Sequence, residues 1–321
     1  MSKYFYGRKS KTFDARDDNY HFNKYFKKVE IIPDVIDLEA NMPSVYDQST
    51  LGGCTAFGTC ETMEYFQIYS PTPVPPTPPT PPVPPTPPDP TGCLTSFINS
   101  LPGLRAKNKT LTKFVNAQPP LWQSIITGAK ISETSGTYTK LSELFEYYQS
   151  RSLEGTVNED SGCEVRDALK SGQMGVCSDA LWPYLIQKYT TKPNAQVYAG
   201  ATYKIASYHT LSDPNNNTVN NLTNIYAALS QNLPVILGFT VYSSFENIGS
   251  DGIMPIPVEN EEVLGGHCVV CVACQPGYLK IRNSWSADWG LNGDFLMPIS
   301  FISHLDSDGS LSVSDMWTIQ I

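Results

Sequence analysis

The stretch that decides the fold is Asp-Gln-Ser-Thr-Leu-Gly-Gly-Cys-Thr-Ala-Phe at positions 47–57, where one cysteine follows two glycines. Residues at the i, i+3, i+4 and i+7 spacing follow the cysteine and predict a helix that begins there: Phe57, Cys60, Glu61 and Glu64. The N-terminus of a helix lowers the pKa of a thiol, and the thiolate is the reactive form. Gly52 and Gly53 allow another chain to approach closely. We therefore expect Cys54 to be a nucleophile that faces solvent.

A second stretch far along the chain supplies the groups that a thiol nucleophile needs. Gly265-Gly266-His267 opens an apolar run, and Asn283-Ser284-Trp285 begins sixteen residues after the histidine. An imidazole can take the proton of Cys54 and return it to a leaving amine. A third polar group, here Asn283, would hold the ring in one tautomer and orientation.

The order cysteine, histidine, asparagine resembles the papain-like cysteine proteases, and in particular their short members without a long prodomain. The resemblance implies an α+β fold of two lobes, with Cys54 on a helical lobe, His267 and Asn283 on a barrel-like lobe of strands, and the active site between them. Gln48, six residues before the cysteine, occupies the family's place for the oxyanion-hole side chain, whose NH2 stabilises the developing negative charge.

The same resemblance predicts the residues that contact substrate, in the loops on both sides of the cleft. They are Gly52, Gly53, Ser161, Gly162, Gly266, Trp285 and Trp289. Trp285 is expected to shield the hydrogen bond between Asn283 and His267 from water. Ser161 replaces a family glycine, a mild change because the main chain makes that contact. Gly266 stands where papain has Asp, which puts the pH optimum in doubt.

Periodicity predicts further elements outside these motifs. They are helices over 141–148, 165–170 and 224–231, and strands over 203–208, 234–241 and 278–285.

Residues 1–43 form an N-terminal extension ahead of a catalytic domain at 44–321, which divides into a helical lobe at about 44–190 and a β lobe at about 191–321. The extension is shorter than the family's prodomains and lacks their long helical pattern. Two interpretations stay open: a short inhibitory strap across the cleft, or a segment packed on the body. The sequence from Phe13 to Asp18 favours packing.

A proline-rich insertion occupies residues 71–90, directly after the nucleophile helix. Repeated proline fixes φ and removes N–H donors, so this segment is expected to be polyproline II or extended coil. It serves either as a semi-rigid spacer or as a ligand for a proline-recognition partner.

Composition restricts the other classes of function. The net charge is −9 among 321 residues, which argues against a nucleic-acid partner, and the absence of a long apolar run argues against a membrane partner. Eight cysteines without the family's usual disulfide position favour a reducing compartment. Cys268, Cys271 and Cys274 should alternate faces of a strand, so we expect no metal site. We expect no cofactor, and a monomer.

The function that these residues predict is a cysteine endopeptidase that forms a thioester acyl-enzyme on protein or peptide substrates. Two alternatives remain at this point. One is an exopeptidase or amidase with the same chemistry. The other is a catalytically idle scaffold that uses the proline-rich insertion.

Overall fold

The structure is a computed structural model that describes residues 4–11, 21–26, 33–69 and 138–321. The proline-rich insertion at 71–90 and the stretch from Phe13 to Asp18 lie outside the described residues. Within them the helices are α1 (Cys54–Ile68), α2 (Glu143–Glu154), α3 (Val165–Met174), α4 (Ala195–Ala199) and α5 (Thr218–Leu229). Short 3-10 turns cover Phe22–Lys24, Glu39–Asn41, Ile186–Lys188, Ser243–Asn247 and Ile299–Ser303.

An antiparallel sheet forms the second half of the molecule. Its strands are β1 (Ile36–Asp37), β2 (Ser207–Thr210), β3 (Val235–Tyr242), β4 (Val263–Gln275), β5 (Tyr278–Arg282), β6 (Asp294–Pro298) and β7 (Val313–Gln320). They are ordered β2-β7-β3-β4-β5-β6, and β1 pairs with β4. β4 is the longest strand and carries His267. The fold is therefore α+β with a helical lobe and a strand lobe, as predicted.

Helix α1 lies between the two lobes. Every residue from Cys54 to Tyr65 is buried, because α2 and α3 pack on one side and β4 on the other. Gly58 allows the contact with the sheet, since a Cβ there would lie 3.3 Å from Cys268 Sγ. The helix is thus enclosed on all sides, and it holds the first residue of the candidate site against the strand that carries His267.

Several predicted boundaries differ from the observed ones. The strand predicted over 203–208 begins only at Ser207, and Tyr203 makes a single bridge to Val176 instead. The strand predicted over 278–285 ends at Arg282, one residue before Asn283. The helix predicted over 224–231 begins earlier, at Thr218, because the Asn217 side chain caps it. The predicted boundaries were based on hydrophobic periodicity. Side-chain caps and isolated bridges leave that periodicity unchanged, so it could not indicate where these elements begin and end.

Three features of the described residues bear on the composition argument. Their seven cysteines are all free thiols, and no group of three potential ligands among them could hold a metal ion. No helix within the described ranges is long and apolar enough to cross a membrane.

Candidate active site

Cys54 is the first residue of α1, with Gly53 at the N-cap position. The loop before it is fixed by the Asp160 carboxylate, which accepts a hydrogen bond from Gly52 N–H at 3.0 Å. The same carboxylate accepts one from Tyr147 Oη–H of α2 at 2.5 Å. This loop therefore has a fixed position relative to the helix that presents the thiol.

Cys54 was expected to face solvent, but its exposed fraction is 0%. The reason is that residues 4–11, which we call the strap, lie over it. Burial raises the pKa of Cys54 to about 11, although backbone hydrogen bonds from Gly7, Cys268 and Thr55 oppose this effect. In this arrangement the thiol is protonated at neutral pH.

His267 and Asn283 are brought together as predicted. The distance from His267 Nε2 to Asn283 Oδ1 is 2.8 Å, and the N–H of Ser284 donates to the same oxygen at 2.8 Å. Because Oδ1 only accepts, Nε2 carries the proton and Nδ1 is left as the basic nitrogen. No group among the described residues hydrogen-bonds to Nδ1. Burial lowers the pKa of His267 to about 4, so the ring is neutral.

Aromatic rings enclose the imidazole. Trp285 stacks on His267 with ring centroids 4.9 Å apart, and Trp289 meets Trp285 edge-on at 5.1 Å. Phe239 and Phe245 approach the imidazole from other directions. These rings exclude water from the bond between His267 and Asn283.

Gln48 is fully buried, and its amide is fixed at both ends. Its Oε1 accepts a hydrogen bond from Ser284 Oγ at 2.6 Å. Its Nε2 donates to Leu51 O at 3.0 Å and to Phe5 O of the strap at 3.1 Å. A carbonyl oxygen from the chain itself thus occupies the position at which Gln48 was expected to donate to a substrate.

The strap runs between the two walls of the cleft and pairs with both. On one wall, Arg8 N–H donates to Gly266 O at 2.9 Å. On the other wall, Cys163 N–H donates to Gly7 O at 2.8 Å, and Cys163 O accepts from Lys9 N–H at 3.0 Å. Approach is close, since a Cβ on Gly7 would lie 1.7 Å from Gly52 O.

Side chains of the strap add contacts to these main-chain bonds. Tyr4 stacks on Trp285 with centroids 3.8 Å apart, and Tyr6 Oη–H donates to Glu246 at 2.7 Å. Arg8 forms a buried ion pair with Asp315. The strap thus touches residues around both Cys54 and His267.

The predicted substrate-contacting residues are partly found along the strap. Gly52, Gly266 and Trp285 contact it directly, and Gly53 caps α1. Gly162, at φ 64°, also lies against it, since a Cβ there would come within 1.6 Å of Gly7 O. Ser161 instead donates to Thr156 within its own loop, and Trp289 packs behind Trp285.

Sequence reasoning missed three contributors to the site. Cys163 is the residue that pairs with the strap's main chain, Ser284 holds the Gln48 amide, and Asp315 holds Arg8. The position of Ser284 beside Asn283 was a usable signal for its role. Nothing in the local sequence near Asp315 could have indicated its partner 307 residues away.

Comparisons with known proteins show that this chain is similar to cysteine proteases. The family model of the papain family cysteine proteases matches residues 151–302, a range that contains His267 and Asn283 and begins after Cys54. An uncharacterised peptidase C1-like protein of Acanthamoeba polyphaga mimivirus is 34% identical over 186 residues, which are 56% of this chain. The chain spans 58% of the length of that curated relative.

Solved structures give the same result across the fold. Xylellain, a cysteine protease from Xylella fastidiosa, is similar with a TM-score of 0.64 at 25% identity, over 99% of this chain and 96% of its own. Digestive procathepsin L 3 of Tenebrio molitor is similar in fold, with a TM-score of 0.54 at 14% identity, covering 92% of this chain and 73% of its own. The chain thus has the fold of the papain-like cysteine proteases, and its residues 151–302 are similar to the papain family model.

Proposed function

We propose that the protein is a cysteine peptidase that cleaves peptide bonds with Cys54 as nucleophile, His267 as general base and acid, and Asn283 as the group that orients the imidazole. The observation that carries this proposal is the hydrogen bond of His267 Nε2 to Asn283 Oδ1, which leaves Nδ1 as a proton acceptor in a cleft that also holds Cys54. A neutral imidazole with a fixed tautomer is what removal of a thiol proton requires.

The chemistry proceeds in two steps. His267 Nδ1 takes the proton of Cys54, the thiolate attacks the substrate carbonyl carbon, and the oxygen becomes negative while Gln48 Nε2 donates to it. The C–N bond then breaks, the amine leaves with the proton from His267, and the acyl group remains on sulfur as a thioester. In the second step His267 takes a proton from a water, whose oxygen attacks the thioester carbon; the C–S bond then breaks, the acid leaves, and His267 returns the proton to the sulfur of Cys54.

Replacement of Cys54 tests the role of the nucleophile. We expect Cys54→Ala to abolish hydrolysis of fluorogenic peptides and casein and to leave the melting temperature within a few degrees, since a small buried side chain is exchanged for a smaller one. Cys177→Ala is the matched control, because this thiol is equally buried and belongs to none of the site contacts described above. Peptide turnover that persists in Cys54→Ala removes Cys54 from the mechanism.

The mode of cleavage follows from a second measurement. Peptide products mapped by mass spectrometry separate an endopeptidase, which cuts inside long chains, from an exopeptidase or amidase. We propose the endopeptidase, because the strap extends through the cleft from Tyr4 beside Trp285 to Lys9 beside Cys163. A cleft that accommodates chain on both sides of Cys54 does not require a free terminus.

We propose further that the strap inhibits the enzyme by occupying this cleft. Its Phe5 carbonyl takes the Gln48 donor, and its backbone buries Cys54. The N-terminal extension would then act as an inhibitory segment, the first of the two interpretations above, and it needs no folded prodomain to do so.

A single added methyl group tests the strap. Because a Cβ on Gly7 collides with the Gly52 backbone, we expect Gly7→Ala to displace the strap. Alkylation of Cys54 by iodoacetamide at pH 7, followed on its peptide by mass spectrometry, should then become at least about 10-fold faster, since exposure lets the raised pKa of the thiol fall. Peptidase kcat/KM should rise with it.

The control is Ser10→Ala, a substitution at an exposed strap position that should change neither rate. An unchanged alkylation rate in Gly7→Ala, with the fold intact, rejects inhibition by the strap. This readout is independent of whether the protein cleaves peptides.

A further inference from the structure

The strap holds one residue in the manner of a bound peptide. Arg8 is paired through its own N–H to Gly266 on one wall, and its two neighbours are paired to Cys163 on the other. These bonds involve main-chain atoms only, so any extended peptide can form them. The selectivity of this position must therefore come from the space into which its side chain extends.

That space is a closed pocket with an acidic end, which we call the Arg8 pocket and define by Gly238, Gly266, Ser314 and Asp315. The side chain of Arg8 is 3% exposed inside it. Its Nε and Nη2 donate to Asp315 Oδ2 at 3.1 and 2.5 Å, and Nη2 also donates to Ser314 Oγ.

The walls of the pocket are shaped by the absence of side chains. A Cβ on Gly238 would lie 2.7 Å from Arg8 Nε, and a Cβ on Gly266 would lie 3.1 Å from Arg8 Cδ. Two strands, β3 and β4, thus carry glycine where the long side chain passes between them. This opening leads straight to the carboxylate on β7.

The charge balance of the pocket requires a cation. The side chain of Asp315 is 2% exposed, and besides those from Arg8 it accepts one hydrogen bond among the described residues, from Trp317 Nε1 to Oδ1 at 3.2 Å. Removing one partner of a buried ion pair leaves a desolvated charge, which is strongly unfavourable. When the strap leaves, the Arg8 pocket therefore favours a guest that restores the positive charge.

The surface beside the Arg8 pocket is also negatively charged where it contacts the strap. Lys9, the next strap residue, is paired with Glu154, and Tyr6 with Glu246. The cleft presents carboxylates along the strap, and these attract basic peptides and repel acidic ones.

We propose that Asp315 is the specificity-determining residue of the enzyme and selects peptides that place an arginine between Cys163 and Gly266. The proposal rests on the peptidase function proposed above. Arg8 of the strap is then a resident copy of the preferred substrate side chain, and strap and substrate compete for one carboxylate.

The test compares arginine with citrulline, which has the same shape without the charge. The enzyme is the full chain carrying Arg8→Ala, which empties the pocket. Fluorogenic peptides are varied one position at a time on the acyl side of the cleaved bond. We expect one of these positions to prefer arginine. There kcat/KM should exceed that of the citrulline peptide by roughly 10- to 100-fold, since hydrogen bonds to charged groups are the stronger ones.

Adding Asp315→Asn should make the two peptides equal, mainly by slowing the arginine peptide. Asparagine is isosteric and still accepts from Trp317. Asp308→Asn, in an exposed turn, is the control that should retain the preference. Equal rates for arginine and citrulline before the Asp315 change, or a preference that survives it, overturn the proposal.

A binding measurement separates this proposal from the peptidase function. In the full chain with Cys54→Ala and Arg8→Ala, calorimetry with the same two peptides should show tighter binding of the arginine form, lost with Asp315→Asn. That binding result, together with no peptide hydrolysis by the chain that keeps Cys54, would refute the peptidase and keep the pocket, whereas equal affinities refute the pocket. Arg8→Met, which keeps the apolar stem, replaces Arg8→Ala if the latter unfolds.

Discussion

At the scale of single residues, Gln48 has the position best suited to a quantitative test. Its donor nitrogen is held by Ser284 through the other end of the amide, so it is oriented before any substrate arrives. We expect Gln48→Ala to lower kcat by about 10²–10³-fold with a smaller change in KM, because an oxyanion donor acts on the transition state.

Ser284→Ala is the graded control for this prediction. It removes the hydroxyl that holds the Gln48 amide and leaves the donor itself in place, so the loss in kcat should be much smaller. Steady-state kinetics on one fluorogenic peptide give both parameters. A loss confined to KM would contradict the oxyanion role of Gln48.

The sequence indicated the site residues that belong to short motifs, but not the contacts between residues far apart along the chain. Gln48 lies six residues before Cys54, and Asn283 follows β5 sixteen residues after His267, so the resemblance to family motifs indicated these residues. The prediction that Cys54 faces solvent was wrong, and the strap, which has no hydrophobic period, gave no sign that it covers the thiol. The pair of Arg8 and Asp315 is formed by tertiary structure only, and a charged residue in a polar segment gives no sign of its partner.

At the scale of elements, α1 carries carboxylates at positions where no water reaches. Glu61 is fully buried, its Oε1 has no hydrogen-bond partner among the described residues, and burial raises its pKa from 4.5 to about 8 despite the opposing charge of Arg282. The helix was predicted from its period, but the same period could not indicate that all its faces are covered.

The sign of the pH dependence follows from this shift. In the unfolded chain Glu61 titrates near 4.5, so between there and pH 8 the folded state binds more protons and stability is lost as pH rises. His267, with its pKa near 4, acts oppositely and only below about 6.5. From pH 6.5 to 8.5 the buried carboxyls therefore dominate among these groups.

We expect Glu61→Gln to be more stable than the parent at pH 8.5, by on the order of a few kcal/mol, and closer to it at pH 5. Urea unfolding at both pH values measures the difference. Some dependence should remain, because burial also raises the pKa of Glu146 to about 8. Glu259→Gln, at an exposed site, is the control. Parallel stability profiles for parent and Glu61→Gln would show that folding does not raise the pKa of Glu61.

At the scale of the whole molecule, the long insertion leaves the body and returns to it at one point. Two hydrogen bonds between the Gln67 side chain and the Thr139 backbone, at 2.9 and 3.2 Å, join the described residues on either side of the insertion. Nearby, Tyr46 Oη lies 2.9 Å from Tyr138 Oη. The described chain therefore resumes at Tyr138 close to where α1 ends at Ile68.

Deletion of residues 72–89 should therefore leave kcat/KM and the melting temperature nearly unchanged. The ends of the insertion are already held together, and shortening a loop changes the closure entropy slowly, by about 0.6 kcal/mol per halving. Gln67→Ala in the deleted chain is the contrasting variant and should lower the melting temperature. Loss of the fold on deletion alone would mean that the proline-rich segment packs on the body.

Residues 21–26, the next described segment after the strap, are anchored on the β lobe. Phe22 is buried in the core of the β lobe and His21 bridges to Thr210, so a strap that leaves the cleft stays attached close by. A tethered occupant competes through its local concentration, which for short linkers reaches the millimolar range. Dilution of the enzyme then does not release the inhibition, and neither does removal of free inhibitor. Relief depends on how much peptide is present, so the fold sets a substrate threshold below which each molecule remains closed on itself.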